Sequence, residues 1–262
     1  MNAKPLALVT GASSGLGRAL AIELARSGRD IIVLARDGAR LAEAARAVEA
    51  LGARALVVES DVRDEAALRA ALEPALAQGR LDRVAHAAGV LALGGIDELS
   101  SDDFRRCLDV NVLGSAHVAR VTLPHLEKTR GRLAFVASIA GVLSLPGGFT
   151  AYSASKWGVR GLAQVLRPEA AARGVHVMAA FPSILDTPML AGLEADAPAV
   201  YRVFPWHPAE AAAARIVADL ERGRRESYMS LGERAGAWCS DAFPAITTAA
   251  LHAFIRLRDP KR

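Results

Sequence analysis

The stretch LALVTGASSGLGRALAIELARSG at residues 6–28 decides the fold of this 262-residue chain. Its first residues, LALV at 6–9, are typical of a buried β-strand. The periodic apolar residues from Leu16 to Ser27 predict a helix that ends at Gly28. Between strand and helix, three glycines spaced Gly-x-x-x-Gly-x-Gly let the backbone turn tightly, and the N–H groups that begin such a helix bind anions. The stretch therefore predicts a turn that holds the pyrophosphate of a dinucleotide.

The rest of the chain alternates short apolar runs with longer periodic ones. Further strands are predicted at 30–35, 54–60, 81–87, 131–138 and 175–181, and further helices at 39–51, 65–77, 101–128 and 152–173, with Ser101 as the cap of the 101–128 helix. Repeated βαβ units with right-handed crossovers predict an α/β fold, a doubly wound Rossmann-type parallel sheet of about seven strands with helices on both faces. No linker or solenoid repeat interrupts the pattern, so residues 1–262 are interpreted as one domain.

Composition and charge exclude several other classes of protein. The formal net charge is +4, but the basic residues are scattered through every segment and form no stripe, so no nucleic-acid partner is expected. Cys107 and Cys239 have no close partner or metal-ligating neighbour, which predicts neither a disulfide framework nor a metal site. The N-terminus lacks the layout of a signal peptide, and a cytoplasmic location is expected.

Two apolar stretches need a structural interpretation. Residues 133–155 carry no charge and are long enough to span a bilayer, but their glycines, serines and proline indicate a buried strand, a loop and the start of a helix. Residues 242–255 are shorter and contain Pro244. For them, packing against the body of the protein is preferred to lying on a membrane surface, and no stable membrane span is expected.

The end of the second strand predicts the choice of cofactor. An acidic residue there accepts the ribose 2′-hydroxyl of NAD, whereas an arginine suits the 2′-phosphate of NADP. Here Ala35 occupies the expected position of the acid, and Arg36 precedes Asp37. Ser13 and Ser14 add hydroxyl donors for the phosphate. The pattern predicts NADP(H), the alternative being that Arg36 is only a surface charge beside a helix.

A tyrosine and a lysine at the start of one helix are candidates for catalysis. Tyr152 and Lys156 are four residues apart and share a helix face. An ammonium group beside a tyrosine lowers the pKa of its hydroxyl, and such a tyrosine can protonate a carbonyl oxygen as hydride reaches the carbon. Tyr-x-x-x-Lys alone usually means two unrelated surface residues. Ser138, at the end of the predicted 131–138 strand, adds a group that could hold the same oxygen.

Taken together, these motifs resemble those of the short-chain dehydrogenase/reductase family. The matching residues are TGASSGLG at 10–17, Asp61-Val62, Asn111 in DVNVLG, Ser138 in VASIAG, YSASK at 152–156, and Pro182 with Thr187 in FPSILDTPM. They occur in the family's order and extend over most of residues 5–230. The resemblance implies a homodimer or homotetramer that reduces ketones, or oxidises secondary alcohols in reverse.

The resemblance also implies a role for each matching residue. Tyr152 would be the general acid, Lys156 would bind the nicotinamide ribose and tune Tyr152, Ser138 would position the substrate carbonyl, and Asn111 would hold a water of the proton relay. The implied cofactor site consists of Gly11, Ser13, Ser14, Gly15, Leu16, Gly17, Arg36, Asp61, Val62, Ala88, Gly89, Tyr152, Lys156, Pro182 and Thr187. Within it, Asp61 and Val62 would flank the adenine and Thr187 would meet the nicotinamide carboxamide.

Two positions depart from the family pattern. The usual Asn-Asn-Ala-Gly is replaced by residues 86–89, His-Ala-Ala-Gly, and the usual Pro-Gly is replaced by Pro182-Ser183. His86 is interpreted as a structural or cofactor-adjacent residue and not as a catalyst. Ser183 is expected to tighten the space near the nicotinamide.

The segment that closes the pocket in this family indicates a hydrophobic substrate. In this chain the lid is residues 188–207, and its apolar members are Met189, Leu190, Leu193, Val200, Tyr201, Phe204 and Trp206. An apolar segment that merely packs on the core would look the same. Residues 148–169 and 182–188 further resemble 3-ketodihydrosphingosine reductases, which reduce a long-chain 3-keto lipid with NADPH. YMS at 228–230 and the apolar 242–255 stretch, which lies in the variable tail at 231–262, faintly continue that likeness.

The sequence therefore predicts NADPH-dependent reduction of a ketone, with a hydrophobic 3-oxo or lipid-like substrate. Other 3-oxoacyl compounds, steroids and xenobiotic ketones remain within the broader prediction. The alternative is a non-catalytic NADP(H)-binding regulator of the same fold. Such proteins often lose the tyrosine or the lysine, whereas this chain retains Asn111, Ser138, Tyr152 and Lys156.

Overall fold

Parallel strands form the centre of the molecule, for which a computed structural model describes residues 4–191 and 198–259. The strands are β1 (Leu6–Thr10), β2 (Asp30–Ala35), β3 (Ala55–Glu59), β4 (Leu81–His86), β5 (Arg132–Val136), β6 (His176–Phe181), β7 (Leu185–Asp186), β8 (His207–Pro208) and β9 (Glu226–Tyr228). Within the described residues, seven of them pair in the order β3-β2-β1-β4-β5-β6-β9, and β7 pairs with β8 beside this sheet. The predicted doubly wound sheet is confirmed.

Helices cover both faces of the sheet. They are α1 (Gly15–Arg26), α2 (Gly38–Glu49), α3 (Glu65–Leu76), α4 (Ser101–Cys107), α5 (Gly114–Glu127), α6 (Thr150–Ala172), α7 (Val200–Val203), α8 (Ala209–Glu221), α9 (Leu231–Ala242) and α10 (Pro244–Arg258). One apolar layer lies between the sheet and α1, α2 and α8. The other lies between the sheet and α3, α5 and α6. Apolar side chains on both sides of each strand explain why the strands read as continuous apolar runs.

One predicted helix is interrupted. The sequence predicts a continuous helix over 101–128, but a π-helical segment at Leu108–Leu113 separates α4 from α5. The predicted cap, Ser101, is also wrong by one residue. Ser100 is the cap, because its hydroxyl accepts a hydrogen bond from the Asp103 N–H while the Asp103 carboxylate accepts one from the Ser100 N–H. Ser101 is instead the first helical residue.

The order of the strands creates a crevice. Successive strands run outward from β1 through β2 to β3, and the chain then returns to place β4 on the other side of β1. The turns after β1 and β4 therefore diverge at the carboxyl edge of the sheet, which is where ligands bind in folds of this kind.

The C-terminal helices pack beside this edge. Ile255 of α10 is 2% exposed and joins Phe149, Val200 and Tyr201 in a small apolar cluster. Ion pairs add to the attachment, since Asp241 of α9 binds the buried Arg160 of α6 and Asp259 binds Arg202 of α7. The expected packing of the 242–255 stretch against the body of the protein holds for Ile255, whereas Phe243 and Ile246 of the same stretch are 55% and 70% exposed. Among the described residues, no helix is both long and apolar enough to cross a lipid bilayer.

Candidate active site

A cleft of about 640 Å³ opens at the carboxyl edge of the sheet. Every residue that the sequence predicts for the cofactor site lines it, and so does Ser138. Asn111 does not line the cleft and lies behind it. The structure thus brings together, from separate loops, residues that the sequence places as far apart as Gly11 and Thr187.

The turn after β1 has the shape of an anion cradle. Gly11 has φ of +68°, and a Cβ there would lie 2.8 Å from the Ala88 nitrogen. A Cβ on Gly17 would lie 2.0 Å from the Gly11 carbonyl oxygen. Ser14 precedes α1 without forming a side-chain cap, and the first turn of α1 contains no acidic residue in the described chain. The N–H groups at this helix start are therefore available to an anion, and these residues fit a pyrophosphate.

Acidic groups at the adenosine end of the cleft are already engaged. Asp37 caps α2 by accepting a hydrogen bond from the Arg40 N–H at 3.1 Å. Asp61 accepts from Arg63 at 2.7 Å, and this hydrogen bond holds the pKa of the Asp61 carboxyl below its usual value. Arg36 lies 3.9 Å from the Asp61 carboxylate and lines the cleft, with its side chain largely exposed. At this end of the cleft, Arg36 and Arg40 therefore lie beside carboxylates that already have hydrogen-bond partners within the protein.

Tyr152, Ser138 and Lys156 lie together in the cleft, where Ser138 and Lys156 are buried and Tyr152 is partly buried. Tyr152 and Ser138 both line the cleft and are close enough for Ser138 to affect the pKa of the Tyr152 phenol, and Lys156 Nζ lies 5.6 Å from the centre of the Tyr152 ring. Lys156 Nζ also donates to the Val136 carbonyl oxygen at 3.0 Å. The arrangement can present one phenol, one hydroxyl and one ammonium group to a bound molecule.

The pKa of Tyr152 differs from the sequence-based prediction. The predicted lowering by Lys156 is wrong for this structure, in which burial raises the pKa of Tyr152 to about 12 despite the opposing effect of the Ser138 hydroxyl. Burial also lowers the pKa of Lys156 to about 8. Both shifts have one cause, the loss of hydration of the charged form. Tyr152 is consequently protonated at neutral pH, the state that a proton donor requires.

Asn111 links the cleft to the helix that carries Tyr152. Its amide nitrogen donates to the Val90 carbonyl oxygen at 3.0 Å and to Ser155 Oγ at 2.8 Å, and its Oδ1 accepts from the Val90 N–H at 2.8 Å. A Cβ on Gly89 would lie 3.2 Å from Asn111 Oδ1 and 3.4 Å from Lys156 Nζ. A side chain at this position would therefore press on both Asn111 and Lys156. Both amide protons of Asn111 are used within the protein.

The two departures from the family pattern occupy different environments. His86 is buried between strands, with Nδ1 2.7 Å from Thr10 Oγ1, and burial lowers its pKa to about 3. His86 is neutral and does not line the cleft. Its hydrogen bond with Thr10 ties β4 to β1, as the structural interpretation of His86 expects. Ser183 lines the cleft, and its Oγ is buried without a hydrogen-bond partner in the described residues. Ser60 Oγ, at the other end of the cleft, is likewise buried without a hydrogen-bond partner in the described residues.

The lid divides into lining residues and supporting ones. Met189, Leu190, Val200 and Tyr201 line the cleft. The supporting residues are Phe204, whose ring lies 5.9 Å from that of Phe254, and Trp206, which donates to the Tyr201 carbonyl oxygen at 2.9 Å. Leu193 lies outside the described residues.

Two residues near Tyr152 were missed by sequence reasoning. Cys107 is fully buried and close enough to raise the pKa of Tyr152. Tyr201 was grouped with the apolar lid, but its phenol also interacts electrostatically with that of Tyr152. Neither residue belongs to a motif, and only the folded chain brings Tyr201 to the cleft and Cys107 near Tyr152.

Comparison with known families agrees with this site. The family model described as short chain dehydrogenase matches residues 5–198, and the chain belongs to the short-chain dehydrogenase family. Its solved relatives include a short chain dehydrogenase from Mycobacterium paratuberculosis bound to NAD, with a TM-score of 0.77 and 28% identity, covering 85% of this chain and 94% of that one. Carveol dehydrogenase from Mycobacterium avium in complex with NAD has a TM-score of 0.77 and 26% identity, covering 84% and 91%.

Among curated proteins, the similarity to 3-ketodihydrosphingosine reductases is confirmed. The chain is 36% identical over 207 residues to the 3-ketodihydrosphingosine reductase of Mus musculus, covering 73% of this chain and 61% of that protein. It is 34% identical over 201 residues to the 3-dehydrosphinganine reductase of Danio rerio, covering 72% and 60%. The matched region is therefore less than two thirds of either relative.

Proposed function

We propose that this oxidoreductase reduces a hydrophobic, lipid-like 3-oxo ketone with NADPH, with Tyr152 as the general acid. The observation that carries the proposal is that Tyr152, Ser138 and Lys156 line one cleft whose adjoining wall is apolar. The similarity to 3-ketodihydrosphingosine reductases supports a long-chain 3-keto substrate.

The cleft divides the tasks among its residues. The bound nicotinamide would supply the hydride. The Gly11–Gly17 turn would hold the pyrophosphate, while Lys156 and Thr187 would hold the nicotinamide ribose and carboxamide. Ser183, with its buried and unpartnered hydroxyl in the described chain, tightens this end of the cleft.

The proton comes from the protein. Ser138 and Tyr152 both line the cleft, and a carbonyl oxygen placed between them would accept hydrogen bonds from both hydroxyls. Tyr152 then transfers its proton to that oxygen. We assign Asn111 to the relay that restores this proton through a bound water, since it lies beside Lys156 and anchors the Tyr152 helix through Ser155.

A direct test is to mix the purified chain with NADPH and a long-chain 3-ketone, and to measure reduction of the ketone as the loss of NADPH absorbance. Titration with NADPH in the absence of ketone measures cofactor binding separately. Tight NADPH binding without reduction of any ketone would favour the alternative, a non-catalytic NADP(H)-binding regulator. The retained Ser138, Tyr152 and Lys156 support the enzyme.

We expect a preference for NADPH that depends on Arg36. The carboxylates of Asp37 and Asp61 are engaged, so a guanidinium is the group best placed for a 2′-phosphate. Arg36→Ala should lower the NADPH-to-NADH ratio of kcat/KM by roughly 10- to 100-fold, the range of a hydrogen bond between charged groups. Arg26→Ala, at an exposed site on α1, is the control. An unchanged ratio in Arg36→Ala would show that another residue selects the cofactor.

We also propose that the chain forms a homodimer or homotetramer through the 101–128 and 152–173 regions. Their outer surfaces expose Leu108, Leu113, Trp157 and Val165. Light scattering at micromolar concentration should give at least twice the mass of one chain. Val165→Asp should reduce the mass measured by light scattering, whereas Val57→Asp on β3 should leave it unchanged. A monomeric wild-type chain would contradict this proposal.

A further inference from the structure

Ser183 places a hydroxyl group where the family pattern has a glycine. The residue lines the cleft and is partly buried, and its Oγ is buried without a hydrogen-bond partner in residues 4–191 and 198–259. Removing a hydroxyl from water without giving it a partner is unfavourable. Glycine or alanine would avoid this penalty, so the hydroxyl indicates a partner that a bound molecule supplies.

The backbone on both sides of Ser183 is fixed. The Pro182 carbonyl oxygen accepts a hydrogen bond from the Ile139 N–H at 3.0 Å, and the Ile184 carbonyl oxygen accepts one from the first residue of β8 at 2.9 Å. The residues that follow form β7, which pairs with β8. Because Ile139 directly follows Ser138, Ser183 is anchored beside the loop that carries one of the hydroxyls of the candidate active site.

The segment that contains Ser183 reaches the anion cradle at its other end. A Cβ on Gly15, in the turn after β1, would lie 3.1 Å from the Thr187 side chain. Residues 182–187 therefore run from the Ser138 loop to the turn that fits a pyrophosphate, and Ser183 lies at the Ser138 end. In a nicotinamide dinucleotide, the ring is one ribose away from the pyrophosphate and must approach the reacting carbonyl. The polar substituent of that ring is a carboxamide.

We propose that the Ser183 hydroxyl forms a hydrogen bond with the carboxamide of a bound nicotinamide cofactor, and so positions the ring in the cleft. A carboxamide can both donate to and accept from a hydroxyl. Rotation of Ser183 about its Cα–Cβ bond, between staggered positions, turns Oγ from its buried position toward the cleft. The inference rests on the proposed function for its cofactor, and gives Ser183 a role that a glycine could not perform.

The test compares two ligands that differ in the nicotinamide ring. NADPH contains the ring, whereas 2′-phospho-ADP-ribose has both riboses, the pyrophosphate and the 2′-phosphate without it. Calorimetry on the purified chain gives both dissociation constants. Ser183→Ala should weaken NADPH binding by roughly three- to tenfold, the effect of one hydrogen bond, and change the affinity for 2′-phospho-ADP-ribose by less than about twofold. NADH and ADP-ribose provide the same comparison without the 2′-phosphate.

Two further variants separate the hydrogen bond from other effects. Ser183→Gly restores the family pattern and should weaken NADPH binding as Ser183→Ala does. Tighter NADPH binding by Ser183→Gly than by the wild type would show that the side chain only narrows the cleft, and would overturn the proposal. Ser60→Ala is the matched control, because Ser60 Oγ is also buried and unpartnered in the described chain but lies at the adenosine end. It should change both affinities by the same factor.

Binding separates this inference from the proposed reaction. A wild type that binds NADPH and reduces no ketone would contradict the reaction, and the two dissociation constants would still decide the role of Ser183. Equal losses for both ligands in Ser183→Ala would show a structural role. Unchanged NADPH affinity with a raised KM for the ketone would place the hydroxyl against the substrate. Either result would overturn the proposal, and a wild type that binds no dinucleotide would overturn it together with the proposed function.

Discussion

Tyr152→Phe will lower ketone turnover by about 10²–10⁴-fold, the contribution typical of a positioned general acid. The substitution removes the phenolic proton and retains the ring. NADPH should still bind with a similar dissociation constant, because the glycine turn and Lys156 are unchanged. Steady-state kinetics and fluorescence titration with NADPH measure the two effects separately.

Two variants help to interpret this result. Ser138→Ala removes the hydroxyl that lines the cleft beside Tyr152, and should lower turnover less because the proton donor remains. Tyr228→Phe removes a phenol from a buried site elsewhere in the chain and should leave turnover near the wild-type value. Equal turnover in Tyr152→Phe and wild type would refute the assignment of the general acid.

The sequence predicts the sheet and most helix limits because their signals are local. Apolar runs and glycines mark each boundary, as where Gly28 and Gly52 follow α1 and α2 with positive φ. The π-helical segment at Leu108–Leu113 was not predicted. Such a segment shifts the backbone hydrogen bonds by one residue and leaves no distinct apolar period. Its presence depends on contacts that become visible only after folding.

The candidate site shows a similar division. Its motif residues lie after the predicted strands and therefore meet at one edge of the sheet. The raised pKa of Tyr152 could not be predicted, because it depends on how deeply the folded protein buries the phenol. The position of Tyr201 depends on Phe149 and Trp206, and on Ile255, which lies more than fifty residues further along the chain. Hydropathy alone classed this tyrosine with its apolar neighbours.

Efficiency should rise with the length of the ketone's hydrocarbon chain. Each buried methylene contributes at most about 0.8 kcal/mol, which corresponds to roughly fourfold in kcat/KM per carbon. The cleft offers Leu145, Phe149, Leu190 and Val200 as apolar contacts. In a series of 3-ketones, kcat/KM should therefore climb over several carbons and level off once the chain extends beyond these contacts. A flat profile would remove the lipid-like substrate and leave a general carbonyl reductase.

The C-terminal tail should affect how kcat/KM depends on chain length, because Ile255 packs in one apolar cluster with Val200 and Tyr201 of the lid. Deletion of everything after Leu231 should flatten the profile and spare small ketones, provided that the chain still folds. The deletion also removes Asp241, the partner of the buried Arg160, and a loss of stability would accompany it. Ile255→Ala is a sharper probe, because it removes apolar contact behind Tyr201 and keeps the ion pairs.

Ile255→Ala should reduce the increase in kcat/KM that each added carbon of the ketone gives. For a small ketone, the substitution should change kcat/KM by less than about twofold. The substitution will also lower the free energy of unfolding by about 2–5 kcal/mol, so kinetics must be measured well below its melting temperature. Leu257→Ala is the matched control, since Leu257 is 78% exposed on the same helix. Ile255 itself does not line the cleft, so its effect must be transmitted through Tyr201 and Phe149, which belong to the same apolar cluster and do line it. If Ile255→Ala instead lowers activity on every ketone by the same factor, the tail supports the fold and does not shape the pocket.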